Sequence, residues 1–363
     1  MIKVMHVLTD TNIGGAGIWL INFLENYDRE KFEVVAVLAK NAALLPRIKE
    51  LGVKTVELDG IGDISFSIPS VKSFVKVIKE EKPCIVHTHA SLSARIAAKI
   101  CKTPVVHTRH CIEGKKSFPV NAVYRLINKT LSAYVTGVSR AVYDNLIADG
   151  IPESKVALIY NGITPLKDFS QEEKLSARRK YSIPEDALTV GLVARLENVK
   201  NPLLFVRAAK LVAERIPNAF FVLCGDGSLR DKVTEEISPI KDRVLMTGYT
   251  KDVETLYNTM DIFALTSDSE ALSIAIIEAL TAGAAVVTTR SGGPTEIIED
   301  GENGHTVPCN NEEALADAIV YLAQNPEKRK LFSQRGKKLA TEKFSALKMA
   351  EANGNIYTKL NSR

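Results

Sequence analysis

A chain of 363 residues is long for one hydrophobic core and suits two domains of ordinary size. With 45% hydrophobic and 25% charged residues, and no run near the ~18 apolar residues of a membrane span, it reads as a soluble globular protein. The net charge of +4 is uneven: residues 1–165 hold 21 Lys and Arg against 15 Asp and Glu, the remainder 26 against 28. An anionic partner on the first half, phosphate or a membrane surface, fits that imbalance, and so does ordinary solubilising charge; no nucleic-acid partner is expected.

The first strand is predicted at Lys3–Leu8, in an N-terminus that lacks the apolar core and cleavage site of a signal peptide. Further strands are predicted at Glu33–Leu38, Cys84–Thr88, Val105–Thr108, Tyr134–Val138 and Val156–Tyr160, with helices at Ile18–Leu24, Val71–Glu80 and Leu92–Cys101. A charged, less apolar stretch at Ile163–Pro184 reads as a link. A second series then starts, with strands at Leu188–Val193, Ala219–Cys224, Val244–Thr247, Ile262–Leu265 and Ala285–Thr288. Helices alternate with them at Leu203–Glu214, Val253–Asn258, Ser273–Thr281 and Glu312–Gln324. Two such series predict two α/β, doubly wound, Rossmann-like domains, residues 1–165 and 166–344, with a helix at about 345–363 packing back on the first. Sheets of this kind bind ligands at the carboxyl ends of their strands, so two facing each other would flank a deep cleft.

The most specific motif is Ser267-Asp-Ser-Glu-Ala-Leu-Ser-Ile-Ala-Ile-Ile-Glu-Ala-Leu280. Glu270 falls in the loop after a strand and Glu278 inside the helix that follows. Between them the amides of the helix start, around Leu272, Ser273 and Ile274, suit a phosphate. Carboxylates on either side suit sugar and ribose hydroxyls. A solvated Glu278 and a Glu270 drawn to the helix N-terminus would give the same spacing.

This motif resembles the signature of the retaining glycosyltransferases of family 4. The resemblance extends through Ala282-Gly-Ala-Ala-Val-Val-Thr-Thr-Arg-Ser-Gly-Gly-Pro-Thr-Glu-Ile-Ile298 and Asn303-Gly-His-Thr-Val-Pro308, and covers essentially the whole chain. It implies a GT-B fold, retention of anomeric configuration and a nucleotide-diphosphate-sugar donor, expected to be a uridine-diphosphate hexose, whose hexosyl unit passes to a glycan, a lipid-linked or a small-molecule acceptor. It also implies that Glu270 contacts the donor sugar and Glu278 the ribose.

Three further segments fit that resemblance. Gly191-Leu-Val-Ala-Arg-Leu-Glu-Asn-Val-Lys-Asn201 carries Arg195 and Lys200, two cations that would stabilise charge on a departing diphosphate in place of a metal. Asp10-Thr-Asn-Ile-Gly-Gly-Ala-Gly17 puts Gly15 and Ala16 at a strand-to-helix turn where backbone can approach a ligand closely. The third glycine of a dinucleotide fingerprint is missing, which disfavours a nicotinamide dehydrogenase. Among His87-Thr-His89 and His107-Thr-Arg-His110, His110 matches the family histidine that contacts the donor sugar. His87 and His89 are expected to shape the floor of the same site. Smaller matches are Cys224-Gly-Asp-Gly-Ser-Leu-Arg230, Gly248-Tyr249-Thr250, Val138-Ser139-Arg140 and Asn161-Gly162.

The five cysteines are scattered without a C-x-x-C pair, which argues against zinc or a disulfide framework and for a reducing cytosol. No D-x-D motif holds a metal, so no cofactor is expected beyond the nucleotide sugar as co-substrate. Ala271 stands where relatives often have glycine. A non-hydrolysing sugar-nucleotide epimerase and a non-catalytic sugar-nucleotide-binding protein are the competing readings. Acceptor choice is assigned to loops Gly60–Ser67 and Cys111–Pro119, which carry no readable code. Finally, Lys115–Lys129 forms an amphipathic pattern, with Val120, Val123, Ile127 and Leu131 on one stripe and Arg125 and Lys129 on another. Packing on the first sheet explains the stripe. So does reversible docking of a cytoplasmic enzyme on the inner face of the plasma membrane, with a lipid-linked acceptor.

Overall fold

The structure, a computed structural model, describes residues 1–114 and 118–362, with side chains left out over 118–124. The chain divides into two compact units: Met1–Thr164 with the segment from Ser345 on, and Pro165–Phe344.

In the first unit the described strands are β1 (Ile2–Leu8), β2 (Phe32–Ala39), β3 (Lys54–Leu58), β4 (Ile85–Thr88), β5 (Val105–Arg109), β6 (Tyr134–Gly137) and β7 (Val156–Leu158). They form one parallel sheet in the order β3-β2-β1-β4-β5-β6-β7. Helices connect the strands and cover the sheet, which is why Val34–Ala39 reads as an unbroken, fully buried apolar run. The order reverses between β1 and β4, which pair directly, His6 opposite His87. The chain leaves this unit and returns to it at one point, where Ile163 bridges Ser345 and accepts the Ala346 N–H at 3.0 Å. The returning helix, Ala346–Asn361, buries Met349, Ile356 and Tyr357 in the first core. A fully buried side chain of that size contributes roughly 1.5–3 kcal/mol.

The second unit repeats the plan with β8 (Leu188–Val193), β9 (Ala219–Cys224), β10 (Val244–Gly248), β11 (Ile262–Leu265), β12 (Ala285–Thr289) and β13 (Gly304–Val307), in the order β10-β9-β8-β11-β12-β13. Its order reverses between β8 and β11. Both reversals are crevice positions in doubly wound sheets, and the motif loops follow the strands that border them.

Ten of the 22 residues of the charged stretch read as a link, Ile163–Pro184, are helix. Gln171–Lys180 belongs to the second unit and opens on a capping box between Ser170 and Glu173. Glu172 and Glu173 sit in its first turn and Arg178, Arg179 and Lys180 in its last, as the helix dipole favours, and only Ala177 is buried. The sequence looked like a linker because this helix presents almost nothing apolar. β3 escaped the reading for a similar reason: as an edge strand it carries exposed Lys54 and Glu57.

No helix among the described residues is long and apolar enough to cross a membrane. In the amphipathic segment, Lys115 and Lys116 lie outside the described residues, as do the side chains of Val120 and Val123. The backbone is helical over Phe118–Leu131, with Arg125 and Lys129 exposed.

Candidate active site

In the second unit the loops after β8 and β11 are laced together. Asn201 takes a left-handed conformation (φ 46°) and caps the helix Pro202–Arg215, its side-chain oxygen accepting the Leu204 N–H at 3.2 Å. Its amide nitrogen donates to Asp268 at 3.2 Å, and the Thr266 hydroxyl donates to the Lys200 carbonyl at 2.9 Å. This lacing sets Lys200 against Glu270. Their side chains form an ion pair, 21% and 10% exposed, and the Ser267 hydroxyl donates to the same Glu270 oxygen at 2.9 Å. The Glu270 carboxylate is therefore engaged by Lys200 and Ser267 of its own unit.

The backbone of Glu270 is fixed from the other side. Its N–H donates to the Ser291 carbonyl at 2.8 Å, and its carbonyl accepts the Gly293 N–H at 3.0 Å. A Cβ on Gly293 would stand 1.9 Å from the Ala271 carbonyl oxygen, so only glycine lets the two segments meet. Ala271 itself takes no positive φ, and alanine fits there without strain.

The helix Ile274–Ala282 begins just beyond. The Ser273 hydroxyl caps it by accepting the Ile276 N–H at 3.3 Å. The N–H groups of Leu272, Ser273, Ile274 and Ala275 donate to no protein acceptor among the described residues. Leu272 and Ser273 are buried residues, and amides in such places want a partner. Four consecutive free donors at the positive end of a helix are an arrangement that suits an anion. Glu278 lies farther along this helix. Desolvation pushes its carboxyl up to about 7, partly offset by the neighbouring Tyr257 hydroxyl.

Arg195 follows β8 and is exposed. It lies beside Glu197, whose carboxylate accepts the Ser228 hydroxyl at 2.6 Å and the Ser228 N–H at 3.0 Å. Ser228 belongs to the Cys224–Arg230 turn. There Gly225 (φ 140°) approaches so closely that a Cβ would stand 1.8 Å from the Ala194 carbonyl oxygen. The turn thus buttresses the arginine loop.

In the first unit the glycine-rich loop follows β1, and the helix Gly15–Asn26 starts at exposed Gly15 and buried Ala16. No side chain caps it, and a Cβ at Gly14 or Gly15 would meet nothing within 4 Å, leaving the backbone approachable. Asp63, from the Gly60–Ser67 loop, holds this turn by accepting the Thr11 N–H at 3.1 Å and the Thr11 hydroxyl.

His110 stands just past β5, half-buried, its Nε2 2.9 Å from His89 Nδ1. His87 and His89 do not shape an open floor: they are 0% and 1% exposed and belong to the core. Behind them lie His6 and Tyr357, which the sequence reading did not single out. His6 Nδ1 is 3.3 Å from His89 Nε2, and Tyr357 Oη is 2.5 Å from His87 Nδ1. A histidine on β1 in register with one on β4 was the available signal for His6. For Tyr357, 270 residues from His87, no local signal exists. Burial holds His6 and His110 down at about 3 and His87, His89 and His107 well below 6.5.

Residues 13–165 match the family described as Glycosyltransferase Family 4, and residues 173–339 match glycosyl transferases group 1. Among related sequences, the chain is 25% identical over 346 residues to the UDP-Gal:alpha-D-GlcNAc-diphosphoundecaprenol alpha-1,3-galactosyltransferase of Escherichia coli, covering 89% of this chain and 88% of that one. It is 23% identical over 303 residues to the N-acetyl-alpha-D-glucosaminyl L-malate synthase of Bacillus anthracis, covering 80% and 79%. Among solved structures, Anabaena Alr3699/HepE in complex with UDP and glucose superposes with a TM-score of 0.87 at 21% identity, over 99% of this chain and 100% of that one. With two doubly wound parallel sheets and matches to the family along both units, the chain belongs to the family 4 glycosyltransferases, sugar-transferring enzymes of the GT-B fold.

Proposed function

We propose that the protein is a retaining, metal-independent hexosyltransferase that uses a uridine-diphosphate hexose and serves a lipid-linked acceptor at the inner membrane surface. The observation that carries the reading is the run of free amides over Leu272–Ala275 next to the Lys200–Glu270 pair. A diphosphate fits the amides and the helix dipole behind them. Lys200 and Arg195 supply cationic charge as the nucleotide departs, the task a metal performs in other transferases. Glu270, once Lys200 turns to phosphate, offers its carboxylate to sugar hydroxyls. Glu278 does the same for the ribose, a charge-assisted contact of ~1.5–3 kcal/mol.

No carboxylate in this set stands out as a covalent nucleophile. As the resemblance to the retaining family 4 enzymes implies, the acceptor hydroxyl attacks the anomeric carbon from the face the diphosphate leaves. The C–O bond to phosphate breaks, the new glycosidic bond forms, and the departing phosphate oxygen takes the acceptor proton. Solved Alr3699/HepE complexes hold UDP with glucose, and UDP-glucose, which supports the donor class. The diphosphoundecaprenol acceptor of the Escherichia coli relative and the basic balance of residues 1–165 support the acceptor class.

The test is a panel of UDP- and GDP-sugars incubated with purified protein, with and without EDTA, following nucleoside diphosphate release. Release from a UDP-hexose that survives EDTA supports the reading, and proton NMR of a transfer product gives the anomer. Activity lost in EDTA and restored by manganese refutes metal independence. Conversion of the donor to its epimer without transfer makes the protein an epimerase. Co-sedimentation with anionic vesicles at low salt, absent with neutral ones, supports membrane docking; equal binding to both refutes it.

A further inference from the structure

The buried imidazoles of the first unit form a single hydrogen-bonded line. Thr136 Oγ1 lies 2.6 Å from Thr108 Oγ1, which lies 2.7 Å from His87 Nε2. His87 Nδ1 is 2.5 Å from Tyr357 Oη, which is 3.3 Å from His6 Nε2. His6 Nδ1 is 3.3 Å from His89 Nε2, and His89 Nδ1 is 2.9 Å from His110 Nε2. The line ends at His110 Nδ1, a buried nitrogen with no partner among the described residues.

A neutral imidazole has one N–H and one lone pair. Burial keeps these rings neutral at pH 7, so each imidazole that accepts at one nitrogen donates from the other; two arrangements run in one direction throughout, and any mixture makes Tyr357 or Thr108 accept from both sides and strands its own buried hydroxyl hydrogen. If His110 donates from Nε2, each group passes its hydrogen inward and the Thr136 hydroxyl becomes the last donor. Thr136 is 1% exposed and has no further acceptor among the described residues, so that arrangement strands a hydroxyl hydrogen inside the sheet. In the opposite arrangement Thr136 donates to Thr108, Thr108 to His87, His87 to Tyr357, Tyr357 to His6, His6 to His89 and His89 to His110. The one unsatisfied donor is then the Nδ1–H of His110, on a half-buried residue just past the carboxyl end of β5. Each arrangement leaves one donor unpaired; the second places it on half-buried His110, just past the carboxyl end of β5 where sheets of this kind bind ligands, and not on 1% exposed Thr136 inside the sheet, which favours it.

We propose that His89, His6 and Tyr357 are positioning residues that hold His110 as its Nδ1–H tautomer, ready to donate to a substrate oxygen. The role of His110 itself rests on the function proposed above; the ordering of the line does not. The imidazoles of His6, His87 and His89 lie close enough to share a metal ion, with ligand atoms within 4.8 Å of one another. Both nitrogens of His87 are already engaged, by Tyr357 and Thr108, which favours the hydrogen-bonded line.

The test is long-range ¹H–¹⁵N correlation on the full chain labelled with ¹⁵N-histidine, at pH 7 and without substrate. His6, His87, His89 and His110 should all appear neutral with Nδ1 protonated, the less common tautomer of free histidine. An Nε2–H tautomer at His110, an imidazolium, or stoichiometric metal whose removal shifts these resonances would overturn the proposal. Tyr357→Phe removes the hydroxyl that donates to His6. It should mix the tautomers of His6, His89 and His110 and lower kcat about tenfold, the loss of roughly one hydrogen bond, with donor KM changed less than twofold. Unchanged kcat with mixed tautomers would overturn the positioning role. If no sugar nucleotide is turned over, the function proposed above fails while the tautomer measurement still decides the line.

Discussion

Lys200 and Glu270, 70 residues apart in sequence, form an ion pair whose carboxylate oxygen also accepts the Ser267 hydroxyl. Removing only the lysine leaves a carboxylate 10% exposed and facing one hydroxyl. Lys200→Ala should cost roughly 2–3 kcal/mol, less than the ~3–5 kcal/mol of a fully buried pair. Lys200→Ala with Glu270→Ala should recover most of that loss in urea denaturation while remaining inactive. Full stability in the single Lys200→Ala variant would show that the pair is dispensable to the fold.

Glu278→Gln should separate stability from binding. The folded pKa of Glu278, about 7, lies above its unfolded value near 4.5. The sign follows: its favourable contribution is complete below pH ~4.5 and is lost as pH rises through 7. Glutamine removes that loss, so the variant should exceed the parent by about 1 kcal/mol at pH 5 and by up to about 3 kcal/mol at pH 8. Nucleoside diphosphate should bind more weakly to the variant. In the parent, affinity should rise as pH passes upward through 7 and the carboxylate ionises. Thermal melts and calorimetry at the two pH values check both halves.

Arg195 is exposed, so its loss should spare the fold. Arg195→Ala should lower turnover about 10²-fold or more, the effect of removing a donor that meets developing charge. The melting temperature should move little. A variant that keeps full kcat would assign the cationic role to Lys200 alone.

What was legible in the sequence was local. β8, β9 and β11 coincide residue for residue with the predicted strands, because buried parallel strands are uniform apolar runs. The helix start between Glu270 and Glu278 was legible too, since both carboxylates and the capping Ser273 lie within one short segment. The Lys200–Glu270 pair was not, because it depends on β11 crossing over to lie beside β8. The imidazole line is less legible still: it gathers β1, β4, β5 and its end, β6 and the last helix, and its members need only be polar and buried. Edge strand β3 and the helix Gln171–Lys180 were missed because exposed elements carry charge where a core signal would be sought.

Acid should unfold the first unit early. His6, His87, His89, His107 and His110 are all held neutral by burial, His6 and His110 with pKa values of about 3. Unfolded, each titrates near 6.5. A depressed folded pKa means that the stabilisation is complete above pH ~6.5 and is lost as pH falls toward 3. Each group contributes a loss of ~1.4 kcal/mol per pH unit in that window. Five acting together remove several kcal/mol by pH 5.5, a large share of a typical ~5–15 kcal/mol stability. Glu278 works the other way as pH falls, but it is one group against five and belongs to the second unit. Urea midpoints from pH 8 to pH 5 should therefore fall steeply below 6.5, with several protons taken up on unfolding. His107→Gln should reduce that uptake by about one proton, since His107 contacts Thr88 and lies off the line that ends at His110. A flat profile between pH 7 and pH 5 would mean that the imidazoles reach solvent or already carry charge.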